Sequence, residues 1–210
     1  SFHEKATDSK PDRTAFDYKK DGWYFGNSGS VFGDSYYLTE QDRECLVDIG
    51  IDTEIENQEW HGSCNGLSTT LILMKNGVIS PQQFQADTIF EIEPTSRVQS
   101  FINYYQLSQT KRLSDKYIPD NQMIYQLDQG LQTQRKGTLF LLTFSTKRES
   151  LHAVVGYELQ SGVWDYDGKY YDRCVLVWDS NFPNGLHEDS CLYYNRTTFE
   201  YCIPYYGVHV

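Results

Sequence analysis

The chain is short of positive charge. Its 210 residues hold 18 lysines and arginines against 29 aspartates and glutamates, for a formal net charge of −11. Neutralising a phosphate backbone takes clustered basic side chains, so no nucleic-acid partner is expected. An anionic membrane surface is disfavoured for the same reason. No apolar run approaches the roughly 20 residues that a bilayer span requires, so no membrane partner is expected. Neither an internal repeat nor a low-complexity tract occurs. A charged-then-apolar leader is also missing before Ser1, and the expectation is a mature or excised module rather than a full reading frame; the location expected for it is secreted or extracellular.

What remains is enough for one generous domain or for two lobes sharing an interface. Five cysteines are present, Cys45, Cys64, Cys174, Cys191 and Cys202. An odd count in a secreted chain leaves one over as a free reactive thiol. Cys191 and Cys202 flank a segment that reads as a hairpin, and equal strands would bring them opposite each other, so a disulfide there is one expectation.

Residues 1–15 are polar and patternless and read as a mobile arm. Residues 16–37 mix large aromatics with glycines and show no periodicity, as an irregular segment lying against something else would. Thr39-Glu40-Gln41-Asp42 is a helix-start pattern, with Gly50 as its stop. A main helix is expected from about Ser63 to Lys75. Leu67, Leu71 and Met74 form its stripe, Ile72 and Leu73 widen it, and the helix is therefore expected to be buried. Further helices are expected behind Pro94, from Thr95 or Ser96 through Leu107, and from Gln122 to Gln132. Strands follow at Thr138–Phe144, at Leu151–Leu159, and at Cys174–Trp178 after a turn around Asp167-Gly168. Two more lie near Leu192–Tyr194 and Phe199–Ile203. Helices first and strands after give an α+β organisation with two lobes. The segments are an N-terminal arm over 1–57, a helical lobe over 58–135 and an antiparallel β lobe over 136–210, all within one structural domain.

Three positions carry chemistry. Cys64 sits where a loop becomes a helix, and the unpaired amides of a first helical turn favour a thiolate. His152 opens an apolar strand, and Asp179 ends the strand that follows. Nucleophilic catalysis needs a thiolate, a base and a group that holds the base in the right tautomer. Each residue also has a plainer reading: a buried core cysteine, a structural histidine, and a turn aspartate in Asp179-Ser180-Asn181.

Gln58 six residues ahead of Gly62-Ser63-Cys64 resembles the active-site segment of papain-like cysteine peptidases. His152-Ala153-Val154-Val155-Gly156-Tyr157 is similar to that family's histidine segment, and Val177-Trp178-Asp179 falls where its orienting Asn or Asp lies. The order Cys, His, Asx and the order of helices before strands are also the family's. The resemblance implies a helical lobe whose central buried helix carries the cysteine, packed against an antiparallel β-barrel-like lobe. It implies Cys64 as nucleophile, His152 as base and acid, Asp179 as orienter, and Gln58 with the Cys64 amide as oxyanion hole. A peptide or protein is the implied substrate, the chain is expected to be a monomer, and no cofactor is called for. A looser resemblance is to papain-like modules in large secreted proteins of fibre-degrading gut bacteria.

The chain departs from the family in three places. The interval from Cys64 to His152 is shorter than the roughly 130–150 residues usual in papain-type enzymes. Asn65 replaces the aromatic that normally follows the nucleophile. Asn181 is a second candidate orienter beside Asp179. The segment before Gln58 is longer than the family needs, and part of residues 1–40 is expected to lie along or across the cleft like a retained pro-segment, with decoration of the helical lobe as the alternative. A zinc site drawn from His61, Cys64, His152 and Cys174 lacks a second ligand pair of the usual spacing, and Asp165-Tyr166-Asp167-Gly168 reads as a hairpin turn rather than a calcium loop. Two other functions share these residues. One is a related Cys-His-Asp amidase or acyl transferase of transglutaminase-like or cell-wall-peptidase-like type, and the other is a papain-like binding module without turnover.

Overall fold

The computed structural model describes residues 2–5, 16–56, 59–109, 120–134 and 137–210. Among them the order is β1 (Phe2–Lys5), α1 (Tyr18–Asp21), α2 (Gly29–Phe32), α3 (Glu40–Asp48), α4 (Thr53–Glu56), α5 (Cys64–Lys75), α6 (Ser96–Ser108) and α7 (Asp120–Thr133). Then come β2 (Phe140–Ser145), β3 (Leu151–Tyr166), β4 (Lys169–Trp178), β5 (Leu192–Tyr194), β6 (Tyr201–Ile203) and β7 (Val208–His209). The fold class is α+β.

The chain divides into two compact units. The helical unit comprises residues 17–114 together with 178–185, and the strand unit comprises residues 1–16, 115–177 and 186–210.

In the helical unit, local chemistry sets the element ends. Thr39 caps α3 by accepting from the Asp42 amide at 3.2 Å, and Thr95 caps α6 by accepting from the Val98 amide at 3.3 Å. Asp42 does not reach back to the Thr39 amide as a capping box would. Ser100 of α6 stands between them, accepting from the Thr39 amide at 2.8 Å and donating to the Asp42 carboxylate at 2.6 Å. The box is therefore closed through a second helix, which ties α3 to α6.

Helix α5 is buried along most of its length, with Leu67 and Leu71 fully enclosed. Each such side chain contributes about 1.5–3 kcal/mol of apolar burial. Gly66 lets α6 come close, since a Cβ there would overlap the carbonyl oxygen of Ile102. The aromatic-glycine segment lies against α5. Trp23 is fully buried and its indole donates to the Leu67 carbonyl at 3.1 Å. Residues Tyr36, Leu38, Leu46, Ile51 and Leu107 form a further core, flanked by Trp60 and Tyr104.

The strand unit is a seven-stranded sheet in the order β1-β3-β4-β5-β6-β7, with β2 also paired to β3. The pairs β1–β3, β2–β3, β4–β5, β5–β6 and β6–β7 are antiparallel, and β2 on β3 sets Phe144 opposite His152. Strand β3 runs on to Tyr166, well past Leu159, with β1 paired to residues 162–165 on one side and β4 its neighbour on the other. Residues 2–5 are thus strand rather than arm. Residues 6–15 lie outside the described residues. Helix α7 packs its Ile124, Leu127 and Leu131 stripe on this sheet. Its buried Asp128 accepts from the Tyr194 hydroxyl at 2.7 Å and pairs with Arg196 at 3.0 Å.

The sheet register rules out the expected cross-strand disulfide. Tyr193, not Cys191, stands opposite Cys202, and all five cysteines are free, with Cys45 exposed and the others buried. Strand β5 starts at Leu192, so Cys191 falls before the hairpin rather than inside it. Among the described residues no helix is long and apolar enough to cross a membrane.

Candidate active site

Cys64 is the first residue of α5 and is buried. The loop leading to it is held by groups from distant parts of the helical unit. Ser63 occupies the N-cap position but makes no capping bond of its own. Its hydroxyl instead donates to Asn103 Oδ1 at 2.9 Å and accepts from the Trp60 indole at 2.9 Å. Asn103 continues the relay by donating to the Tyr37 carbonyl at 3.0 Å. Every member of this chain has a partner, which is what a buried polar network needs to be stabilising.

The segment before α3 completes the brace. Tyr36 donates to the Gly62 carbonyl at 2.7 Å and accepts from the His61 amide at 3.3 Å. Trp60 stacks on Phe32 with centroids 5.6 Å apart and rings 11° from parallel. Asn27 accepts from the Ser63 amide at 2.6 Å. Gly62 has φ +121°, a conformation that side chains rarely adopt.

These bonds leave the first turn of α5 with a particular set of amides. The Gly66 amide is satisfied from α6 by Gln106 Oε1 at 2.9 Å. The amides of Cys64 and Asn65 have no hydrogen-bond partner among the described residues. Unpaired amides at a helix start carry the positive end of the dipole, here at the residue bearing the thiol.

Asp179 also belongs to the helical unit, in the loop 178–185 that follows β4. It is almost fully buried, and its Oδ1 accepts from the Asn181 amide at 2.9 Å while its carbonyl accepts from Phe182 at 2.8 Å. Asn181 itself is exposed. The neighbouring Ser180 carbonyl accepts from the Asn27 amide at 2.9 Å. A side chain on Gly26 would come within 2.7 Å of that carbonyl, so the close approach needs glycine. Asn27 therefore touches both candidate loops, through its side chain before Cys64 and through its backbone after Asp179.

His152 lies on β3 in the strand unit and is buried. Phe144, opposite it on β2, meets the imidazole edge-on at 5.7 Å. On another side is Tyr206, with ring centroids 4.7 Å apart and the hydroxyl 3.0 Å from Nε2. Tyr206 sits in the short 3-10 turn Pro204–Tyr206, whose end is fixed by Gly207 at φ +65° and by the Lys147 amide donating to the Tyr206 carbonyl at 3.0 Å.

Of the residues singled out by sequence, Cys64 and Asp179 fall in the helical unit and His152 in the strand unit. Gln58 lies outside the described residues. His61 is exposed, and no group of three or more His, Cys, Asp or Glu able to hold a metal occurs among the described residues. Sequence reasoning missed Asn27, Tyr36 and Tyr206. Asn27 lies in Phe25-Gly26-Asn27-Ser28, where glycine beside asparagine reads as an ordinary turn, and Tyr206 is one of seventeen tyrosines.

No family model, no curated protein and no solved structure matches this chain.

Proposed function

We propose that the chain is a papain-like cysteine peptidase that hydrolyses peptide bonds through a thioester on Cys64. The observation that carries the reading is the setting of Cys64, a buried thiol on the first residue of a buried helix whose first two amides have no hydrogen-bond partner among the described residues. Around a core cysteine, the loop would need no such bracing, and the N-cap serine would be expected to cap.

In the proposed reaction the Cys64 thiolate attacks the peptide carbonyl, and the C–N bond breaks as His152 delivers a proton to the leaving amine. Water then attacks the thioester with His152 taking its proton, which releases the acid and regenerates the thiolate. Asp179 orients His152, a role that its burial favours over that of the exposed Asn181. Gln58 and the Cys64 amide stabilise the oxyanion. Residues 27–37 brace the loop before Cys64, which favours their being part of the working enzyme over their being a removable pro-segment.

The test is selective alkylation. At pH 5 an ordinary thiol of pKa about 8.5 is protonated and slow to react, so labelling there reports a thiol whose thiolate is favoured. Iodoacetamide is expected to label wild type at pH 5 and to stop hydrolysis of a denatured protein substrate. Cys64→Ala is expected to lose both labelling and hydrolysis while keeping its circular dichroism. Equal labelling of the two proteins overturns the reading.

A further inference from the structure

We propose that the side-chain amide of Asn27 is an oxyanion donor of this site, acting through Nδ2. The inference rests on the peptidase reading and adds to it a residue far from the cysteine in sequence.

The orientation of the amide is settled by its partner. The Ser63 amide can only donate, so the Asn27 atom 2.6 Å from it is the oxygen, and the other atom is the NH2 group. That NH2 group has no hydrogen-bond partner among the described residues, although Asn27 is only partly exposed. Its position is held twice, by the Oδ1 bond to the residue preceding Cys64 and by the backbone bond to Ser180. What stands beside it is Gly62, where an added Cβ would lie 3.4 Å from Nδ2. Any other residue at 62 would cover that face as well as strain the backbone.

A donor fixed before the reaction, adjacent in space to the residue before the nucleophile and without a protein partner among the described residues, has the properties required for stabilising charge that appears only in the transition state. The Cys64 amide likewise has no partner among the described residues. During acylation the carbonyl oxygen gains the electron pair of its C=O π bond, and the Asn27 and Cys64 N–H donors, together with Gln58, would hold that oxygen until the pair returns and the amine leaves.

The isosteric change Asn27→Asp separates this role from a structural one. Aspartate keeps an acceptor for the Ser63 amide and replaces the Nδ2 donor by an oxygen. Two rates are compared with wild type, namely kcat for hydrolysis of a denatured protein substrate and the limiting rate of Cys64 alkylation by iodoacetamide, taken from the full pH profile. Alkylation forms no oxyanion. The expected result is a fall in kcat of about 10²–10³-fold, with the limiting alkylation rate and the melting temperature retained. Hydrolysis within a few-fold of wild type overturns the proposal. So does a parallel loss of both rates, since Asn27 would then act by holding the loop. Failure of the peptidase reading is recognised separately, by a wild type that is neither alkylated at pH 5 nor active, and it takes this proposal with it.

Discussion

At the scale of single residues, the two candidate catalytic groups sit in different chemical surroundings. The thiol of Cys64 has backbone amides and a braced loop behind it, whereas the imidazole of His152 is walled by aromatic rings and has a phenol on Nε2. That phenol suggests that Tyr206 has a share in setting the tautomer and orientation of the ring. Tyr206→Phe keeps the ring packing on Phe144 and His152 and removes one hydrogen bond. A bond of about 1–1.5 kcal/mol corresponds to roughly a tenfold fall in kcat, with the melting temperature little changed. Steady-state kinetics, together with 15N shifts of the imidazole, check this. An unchanged kcat and unchanged shifts would show that the hydroxyl does not matter to the proposed base.

At the scale of elements, the helical unit depends on how closely α5 and α6 approach. Gly66 faces the Ile102 carbonyl, and the obstructing atom is backbone, so a methyl at 66 forces α6 to move rather than a side chain to rotate. Such overpacking costs about 1–3 kcal/mol, partly offset by the roughly 1 kcal/mol that alanine gains over glycine in a helix. The same displacement pulls Gln106 away from the Gly66 amide, which adds to the loss. Gly66→Ala is therefore expected to lower the urea midpoint, with a net destabilisation of about 2 kcal/mol. An unchanged or raised midpoint would show that the crossing has slack.

The legible parts of this scale were local. Caps at Thr39 and Thr95, the apolar stripe of α5 and the Asp167-Gly168 turn depend on residues within a few positions of each other, and each element was expected close to where it lies. Missed elements have the opposite character. Strand β1 is polar and acquires its conformation by pairing with the far end of β3. Strand β7 has two residues, too few for any alternation to show. Helix α7 was expected near its place, but its attachment to the sheet through Asp128, Tyr194 and Arg196 spans more than sixty positions of chain. No window on the sequence contains that contact.

At the scale of the whole molecule, the two units should respond differently to alkali. In the strand unit, burial pushes the Cys202 thiol up to about 11 from an ordinary 9.0. Burial likewise raises Cys174, with the neighbouring Cys191 adding to the effect. The phenols of Tyr171, Tyr193 and Tyr194 are all raised, first by burial and in Tyr194 also by the Asp128 carboxylate. Each of these groups is an acid kept neutral in the folded state. As pH rises past the ordinary values, the unfolded chain loses these protons while the folded chain keeps them. The unfolded state then binds fewer protons, and stability falls as pH increases. The contribution is fully present below about pH 9 and declines through pH 11 and beyond. In the helical unit the corresponding group is Tyr24, raised by burial and then by Glu93. Amide exchange followed from pH 8 to pH 11, corrected for the intrinsic rate, is expected to lose protection first in β4, β5 and β6. Simultaneous loss in α5 and α6 would count against this.

By itself the sequence determined the α+β class, the position of the main helix with a cysteine at its start, and the placing of His152 on a strand and Asp179 at a strand's end. These follow from periodicity, caps and turns, which are short-range properties of a chain. Only the tertiary structure decided that Asn27 locks the residue before Cys64 and that Tyr206 meets His152. It also set Tyr193, not Cys191, opposite Cys202, and joined residues 178–185 to the helices. The physical reason is that a hydrogen-bond donor or a sheet register is chosen by whatever partner folding brings alongside it, and those partners lie tens of residues away.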